Sequence, residues 1–256
     1  MTSNTKWNSP HDVDYIFKLL FLGPPSVGKT SIIRRFAHDW FTEHHTTTIG
    51  VDVALKHVEL EGLGKVGLQM WDVVGQDRYK NSIQSLYYRN ALGSAFVFDA
   101  SRPETLNDII DWKKELDERA SLKIHQSDDA VGDQNCEGES SSLKLPAVIL
   151  ANKCDILGQD DGIKLFATLD SFCEKHGFLG WYATSARLNM GIREALVDGL
   201  LNRGILPISE KEPSLLTEIK NSRKIVCDFD LNDDDLHTSK LSMLRCGMSE
   251  TSFCGC

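Results

Sequence analysis

The feature that most constrains this chain is the run GPPSVGKT, from Gly23 to Thr30. It matches the pattern GxxxxGK[ST], and it lies directly after an apolar run typical of a strand and directly before a segment with helical periodicity. In that context the backbone N–H groups of the loop and of the helix N-terminus point at phosphate oxygens. The sequence therefore predicts a phosphate-binding loop between a strand and a helix.

The residues of this loop have different expected roles. Lys29 is expected to span the β and γ phosphates, and the Thr30 hydroxyl to ligate Mg²⁺. Pro24 and Pro25 carry no N–H, so hydrogen bonds to phosphate are expected from the residues that follow them. The predicted phosphate-binding residues are Gly23, Ser26, Val27, Gly28, Lys29, Thr30 and Ser31.

Apolar runs and helix-period runs alternate from Tyr15 to about Gly204, which favours a mostly parallel sheet with helices on both faces. One pair breaks the alternation, because a connection as short as EGLGK permits only an antiparallel pair, which we expect at a sheet edge. Strands are predicted at Tyr15 to Leu22, Val51 to Leu60, Val66 to Trp71, Ser94 to Asp99, Pro146 to Asn152 and Trp181 to Thr184. Helices are predicted near Gly28 to Ala37, Asp77 to Tyr88, Glu104 to Ala120, Gly162 to His176 and Gly191 to Leu201.

Three segments fall outside this pattern. Residues 1–14 read as a flexible N-terminal extension, and residues 125–142 as a mobile, acidic, Ser-rich surface insertion with five acids and no Lys or Arg. Residues 205–256 lose the alternation and are predicted to form a flexible tail. The sequence thus predicts one α/β domain over residues 15–204.

Composition excludes several classes of protein. The net charge is −9 and Lys/Arg clusters are absent, which argues against nucleic acid as a partner. The longest apolar stretch is far too short to span a bilayer, and the N-terminus does not resemble a secretory signal, so a cytosolic location is expected. The seven cysteines include no CxxC pair, which fits neither a disulfide framework nor a zinc site.

A second motif, WDVVGQD, follows the predicted antiparallel pair. Asp72 ends its strand, and in an open α/β sheet ligands bind at the carboxyl ends of the strands. Asp72 is therefore expected to hold Mg²⁺ through a water, the Gly75 N–H to meet the γ-phosphate, and the Gln76 amide to orient an attacking water. Taken alone, the motif is also typical of an ordinary turn at a strand end.

A third motif, ANKCD, closes the buried run AVIL at another strand end and contains Asn152, Lys153 and Asp155. A carboxylate there can accept hydrogen bonds from guanine N1–H and N2–H₂, a donor pair that adenine lacks. Ser185 and Ala186, in TSA at the end of the last strand, can supply a backbone N–H to guanine O6. These residues predict selection of GTP or GDP over adenine nucleotides.

These motifs, in this order and spacing, resemble the Rab family of Ras-like small GTPases over about residues 15–204. TIGVD, WDVVGQD, YYRNA and the terminal CGC carry the resemblance, and FCEKHGFLGWYATSA looks most like the Rab thirty-two branch. The resemblance implies a P-loop fold, binding and hydrolysis of GTP with Mg²⁺, and a role at endosomal or lysosome-related membranes. It also implies that Thr48 ligates Mg²⁺, Phe41 stacks on guanine and Gln76 is the catalytic glutamine, with effectors binding the switch loops, Trp40 to Thr48 and Val73 to Tyr88.

The terminal Cys254 and Cys256 resemble the Rab signal for two geranylgeranyl groups. Stable membrane attachment needs a second lipid chain or a basic patch, and residues 205–256 hold six Lys or Arg against nine Asp or Glu. Two prenyl groups are therefore expected to anchor the chain as it cycles between cytosol and endomembranes. The resemblance also implies an exchange factor, a GTPase-activating protein, an escort protein and a GDP-dissociation inhibitor as partners.

Two alternatives remain open at this point. Val74, beside the glycine that must turn toward the γ-phosphate, and Pro25, where an activating arginine would approach, favour a GTP-binding adaptor that hardly hydrolyses. A soluble nucleotide-metabolising P-loop enzyme is the other alternative, although it leaves NKCD and the terminal cysteines unexplained.

Overall fold

The computed structural model describes residues 13–44, 48, 50–73, 87–123, 142–211, 213–217 and 219. Its strands are β1 (Tyr15–Leu22), β2 (Val51–Leu60), β3 (Gly64–Val73), β4 (Gly93–Asp99), β5 (Ser121–Lys123), β6 (Ser142–Lys144), β7 (Ala147–Asn152) and β8 (Trp181–Ala183). Its helices are α1 (Lys29–His38), α2 (Thr105–Arg119), α3 (Gln159–His176) and α4, which joins a π-helical part, Glu194–Ile205, to an α-helical part, Leu206–Lys211.

Six of these strands form one sheet in the order β2-β3-β1-β4-β7-β8. Only the β2–β3 pair in this sheet is antiparallel, with Val51 opposite Val73, and the other four pairs are parallel. The predicted fold class, a six-stranded, mostly parallel sheet with one antiparallel edge strand, is confirmed. The predicted bounds of β1 and β2 match the observed ones.

The central strands β1, β4 and β7 are almost continuously buried. Burial on both faces of a parallel sheet explains why these strands are continuous apolar runs rather than alternating ones. Trp112 of α2 and Leu169 of α3 are among the fully buried side chains of the core that these strands share. The carboxyl ends of β1, β3, β4 and β7 point to one edge, and the loops after these strands meet there.

The structure corrects three predicted boundaries. Val13 is 2% exposed in the core, so the folded part begins before the predicted limit at residue 15. Ser142 belongs to β6, which pairs with β5 in a small second sheet that the sequence did not predict. The chain does not become a tail at residue 205, because α4 continues to Lys211, Ile205 is 1% exposed and Ile219 is buried. Apolar residues at helical spacing explain this continued packing.

The predicted helix from Asp77 to Tyr88 lies almost entirely outside the described residues. The acidic insertion lies outside them as well, apart from Ser142. Among the helices that the structure does describe, none has both the length and the apolar character needed to cross a membrane.

Candidate nucleotide-binding site

A cavity of about 490 Å³ opens at the carboxyl ends of β3 and β7, beside the N-terminus of α1. This is the edge at which open α/β sheets bind ligands. Most of the site residues predicted from the sequence line it. These are Ser26, Gly28, Lys29, Thr30, Ser31, Phe41, Thr48, Asp72, Asn152, Lys153, Asp155 and Ala186.

Two glycines give the phosphate loop its shape. Gly23 has a φ of +135°, and a Cβ added there would lie 2.2 Å from the carbonyl oxygen of Val97. Gly28 has a φ of +99°, and its added Cβ would lie 2.3 Å from the Asn152 amide nitrogen. Both positions therefore require the absence of a side chain. Gly23 does not line the cavity, but it sets the path along which the loop approaches it.

Lys29 lies at the start of α1 with only 6% of its surface exposed. Its Nζ donates to the carbonyl oxygens of Gly23 and Pro24, at 2.9 Å each, so the side chain folds back over the loop. Burial lowers the pKa of Lys29 to about 8, and the negative charge of Asp72 opposes this shift. Among the described residues no carboxylate forms an ion pair with this buried ammonium group, and an incoming phosphate would supply such an anionic partner.

Thr30, Thr48 and Asp72 bring three oxygens together, although they come from α1, the segment before β2, and β3. The Thr30 and Thr48 hydroxyl oxygens are 2.9 Å apart, the Thr48 hydroxyl lies 3.4 Å from Asp72 Oδ2, and the Thr30 hydroxyl donates to the same Oδ2. Burial raises the pKa of Asp72, and the hydrogen bonds from the two threonines and the charge of Lys29 oppose the shift.

This oxygen cluster fits Mg²⁺. Adjacent ligands of an octahedral Mg²⁺, each about 2.1 Å from the metal, are about 3 Å apart, which matches the separation of the two hydroxyls. Within the described residues, no group of three or more His, Cys, Asp or Glu side chains could hold a metal ion. A metal at this site would therefore depend on hydroxyl, carboxylate, water and phosphate oxygens, the donor set that Mg²⁺ prefers.

The motif after β7 is connected to the phosphate loop by direct hydrogen bonds. Asn152 is 1% exposed and donates from Nδ2 to the carbonyl oxygen of Val27 at 2.8 Å. Lys153 donates from Nζ to the carbonyl oxygen of Ser26 at 3.0 Å. Ser26 and Lys153 both have positive φ values, 63° and 64°, a conformation that non-glycine residues seldom adopt. The base side and the phosphate side of the cavity thus form one connected unit.

The loop after β8 completes the base side. The Ala186 N–H points at Asn152 Oδ1, 3.3 Å away, and Asp155 lines the same part of the cavity. Ser185 does not line the cavity, because its N–H and C=O pair with Met190. Val27 also stays outside the lining, with its side chain fully buried in the core. Both residues support the cavity through their backbone.

Four predicted residues lie outside the described part of the chain. They are Gly75 and Gln76, expected to act on the γ-phosphate and the attacking water, and Cys254 and Cys256, expected to carry prenyl groups. Their roles remain predictions.

Two residues of this region were missed by the sequence analysis. Asp99 ends β4, and its carboxylate accepts hydrogen bonds from Lys153 at 2.7 Å, from Arg102 at 3.0 Å and from Ser101. Asp72 was predicted from its position at a strand end, and the same criterion would have identified Asp99. Arg35 lies on α1 and contacts the backbone after β8, which no local pattern shows.

The fold and the cavity together define a P-loop nucleotide-binding protein. The phosphate loop, the oxygen cluster and the Asn152–Asp155 motif meet around one cavity, as this class requires.

The comparisons with known proteins agree. The Ras family model matches residues 18–202. Ras-related protein Rab-32 from Mus musculus is 39% identical over 206 residues, which is 79% of this chain and 83% of that protein. Ras-related protein Rab-32A from Dictyostelium discoideum is 37% identical over 205 residues, 77% and 85% of the two chains. Human Ras-related protein Rab-7L1 is 35% identical over 187 residues, 72% and 80%.

The chain therefore belongs to the Rab family of Ras-like small GTPases, near the Rab-32 branch. Members of this family hydrolyse GTP and act in membrane trafficking, so this chain is a GTP hydrolase of that kind. The alternative of a nucleotide-metabolising enzyme is set aside.

Proposed function

We propose that this chain is a membrane switch that binds GDP or GTP with Mg²⁺ in the cavity and recruits effectors in the GTP-bound state. The observation that carries the proposal is the convergence of Lys29, Thr30, Thr48 and Asp72 at the end of the phosphate loop. Since Thr48 belongs to the segment before β2, a γ-phosphate and a metal bound there would hold that segment in place, and hydrolysis would release it.

Each side of the cavity has its own chemistry in this proposal. Lys29 and the N–H groups of the loop bind the phosphates and stabilise the charge that develops on them. Thr30 and Thr48 would hold Mg²⁺ directly and Asp72 would hold it through a water, and the metal would supply positive charge beside the phosphates. Gln76 orients the water that attacks in line with the leaving group.

On the base side, selectivity for guanine comes from Asp155. Its carboxylate accepts the guanine N1–H and N2–H₂ groups, and an adenine base would leave it without donors. The Ala186 N–H donates to guanine O6, and Phe41 stacks on the ring. All three residues line the same cavity, which supports this arrangement.

The place of action is part of the proposal. Resemblance to the Rab thirty-two branch supports endosomal, phagosomal or lysosome-related membranes, with attachment through prenyl groups on Cys254 and Cys256. Exchange factor, activating protein, escort protein and GDP-dissociation inhibitor are the expected partners. Replacing both cysteines with serine should leave nucleotide binding intact and move the chain to the cytosol, as measured by membrane fractionation.

A second candidate is an adaptor that binds GTP but hydrolyses it very slowly. Pro25 is exposed at the edge of the cavity. Val74 stands where the family usually has the smaller alanine of WDTAGQE, beside the glycine that must turn toward the γ-phosphate. Both features favour slow turnover. Gln76 favours the switch instead, because it has no role in a protein that does not hydrolyse GTP.

Single-turnover hydrolysis of GTP separates these candidates. The wild type, Gln76→Leu and a matched control, Gln159→Leu, at the exposed start of α3, would each be measured with Mg²⁺, with and without a Rab-activating catalytic domain. The switch requires slow hydrolysis that the domain accelerates in the wild type and the control, with this acceleration lost in Gln76→Leu. Tight GTP binding with no effect of either the domain or the substitution would establish the adaptor.

A further inference from the structure

Arg35, on the last turns of α1, forms hydrogen bonds with two adjacent residues of the cavity wall, Ala186 and Arg187, and with Asp39 at the end of its own helix. Its Nε donates to the carbonyl oxygen of Ala186 at 2.9 Å, and Nη2 donates to the carbonyl oxygen of Arg187 at 3.2 Å. Its Nη1 donates to Asp39, at 3.0 Å to the carbonyl oxygen and 3.1 Å to Oδ1. The side chain is only 16% exposed. One planar guanidinium group thus holds the end of α1 and the loop after β8 together.

The guanidinium also lies 5.8 Å from the centre of the Phe41 ring, within range of a cation–π contact. Phe41 and Ala186 are the two residues proposed to contact guanine by stacking and through O6. Ala186 is held from two directions, because its N–H donates to Asn152 Oδ1 at 3.3 Å, a long hydrogen bond that guanine O6 would take over, while Arg35 donates to its carbonyl oxygen. Loss of the Arg35 contact would leave Ala186 held by Asn152 alone, so the direction of its N–H relative to the base would be less firmly set.

The bonds of Arg35 differ in strength according to their surroundings. The Asp39 side chain is 80% exposed, and an ion pair with so exposed a partner contributes little. Ala186 is buried with the guanidinium in place, so the hydrogen bond to its carbonyl oxygen is shielded from bulk water. The hydrogen bond of Arg35 to the loop after β8 is therefore expected to contribute more free energy than its ion pair with Asp39.

We propose that Arg35 is a positioning residue that aims the Ala186 N–H at guanine O6 and thereby contributes to base specificity. This inference rests on the proposed function, in which guanine occupies this end of the cavity. Lysine cannot reproduce this arrangement, because its single ammonium nitrogen cannot replace three separate guanidinium nitrogens that donate to Ala186, Asp39 and Arg187 from fixed positions in one plane.

The test compares Arg35→Lys with the wild type by equilibrium binding of three nucleotides in Mg²⁺. GDP carries O6, 6-thioguanosine diphosphate replaces O6 with a poorer acceptor, and inosine diphosphate keeps O6 but lacks the N2 amino group. The matched control is Arg119→Lys, since Arg119 pairs with Glu115 at the same i,i+4 spacing outside the cavity. Arg35→Gln serves as a second variant if Arg35→Lys does not fold.

We expect Arg35→Lys to bind GDP about tenfold more weakly, the effect of losing about one buried hydrogen bond. The preference for GDP over the 6-thio analogue should shrink, whereas the preference for GDP over inosine diphosphate should stay, because Asp155 reads the N2 amino group. Arg119→Lys and Asp39→Ala should keep both preferences near the wild-type values.

A lower melting temperature with both preferences unchanged would overturn the inference, since Arg35 would then act on stability alone. Equal loss of both preferences would overturn it too, because Arg35 would not act through O6. If the wild type itself binds none of the three nucleotides, the proposed function fails together with this inference.

Discussion

Replacing Asp99 with asparagine tests how strongly the base side and the phosphate side of the cavity depend on each other. The Asp99 side chain is 2% exposed, and its Oδ2 accepts hydrogen bonds from Lys153 at 2.7 Å and from Arg102 at 3.0 Å. Its Oδ1 accepts the N–H and the hydroxyl of Ser101. Because Lys153 also donates to the carbonyl oxygen of Ser26, Asp99 is connected to the phosphate loop through a single side chain.

The expected magnitude follows from these contacts. Removing one partner of a buried ion pair costs about 3–5 kcal/mol when both partners are buried. Here Lys153 and Arg102 are 35% and 45% exposed and can regain water, and asparagine keeps an acceptor for Ser101. We therefore expect the free energy of unfolding to fall by about 2 kcal/mol, and GDP release to accelerate about tenfold as the Lys153–Ser26 contact loosens.

The effect should depend on pH in a defined direction. Burial alone raises the pKa of Asp99, but the hydrogen bonds from Lys153, Ser101 and Arg102 outweigh it and hold the pKa below its ordinary value of 3.8. A carboxyl group with a lowered pKa stabilises the fold above its unfolded-state pKa, and this is lost as the pH falls through the folded-state pKa. The stability difference between wild type and Asp99→Asn should therefore be constant from about pH 5 to pH 8 and decline as the pH falls below 3.8 toward the lowered pKa of the folded state.

Urea denaturation and release of a fluorescent GDP measure the two effects. The matched control is Asp117→Asn. Asp117 also forms ion pairs with two lysines, Lys113 at 2.6 Å and Lys144 at 3.3 Å, but it lies outside the nucleotide cavity. The control should lower stability and leave GDP release unchanged. Equal release rates for Asp99→Asn and the control would refute the proposed connection between the two sides of the cavity.

Three further predictions concern other contacts of the structure. Gly28→Ala should weaken GDP binding about 100-fold in a fluorescence titration. The added Cβ would collide with Asn152, and the positive φ of this residue disfavours any side chain. A loss of only a few-fold would contradict this reasoning. Lys18 lies 3.7 Å from the centre of the Trp71 ring, and burial lowers its pKa from 10.5 to about 8. The tryptophan fluorescence of the wild type should titrate near pH 8, and that of Lys18→Met should not. The stability of the wild type relative to the variant should rise from pH 8 to 10.5, because in this range the unfolded state keeps the Lys18 proton and the folded state loses it. Thr30→Ala should make GDP release insensitive to a chelator that accelerates release from the wild type, and unchanged chelator sensitivity would exclude Thr30 as a metal ligand.

Much of the fold follows from local patterns. β1 and β2 were predicted to the residue, since apolar or alternating runs ended by turn residues define them. The β5–β6 pair was missed because its three-residue strands are too short for a periodic signal and are joined by a long, polar insertion. The extension of α4 beyond residue 205 was missed because this part of the helix is stabilised mainly by packing on the core, which a local sequence pattern does not show.

The residues of the candidate site also differ in whether a local sequence pattern predicts them. Asp72 and Asn152 were found because each ends a buried strand within a recognisable motif. Asp99 ends a buried strand without such a motif, and its importance depends on the lysine that a different strand brings to it. Arg35 was not predictable at all, because its acceptors are backbone carbonyl groups about 150 residues away in the chain.

Asp155 is proposed to recognise guanine in this cavity, and exchanging the donors and acceptors of the base and of this side chain tests that role. Binding of guanosine and xanthosine diphosphates would be measured for the wild type and for Asp155→Asn, since xanthine carries an oxygen in place of the guanine N2 amino group. The wild type should prefer guanosine diphosphate, and Asp155→Asn should prefer xanthosine diphosphate because its amide can donate to that oxygen. Unchanged preference for guanosine diphosphate in Asp155→Asn would contradict the account.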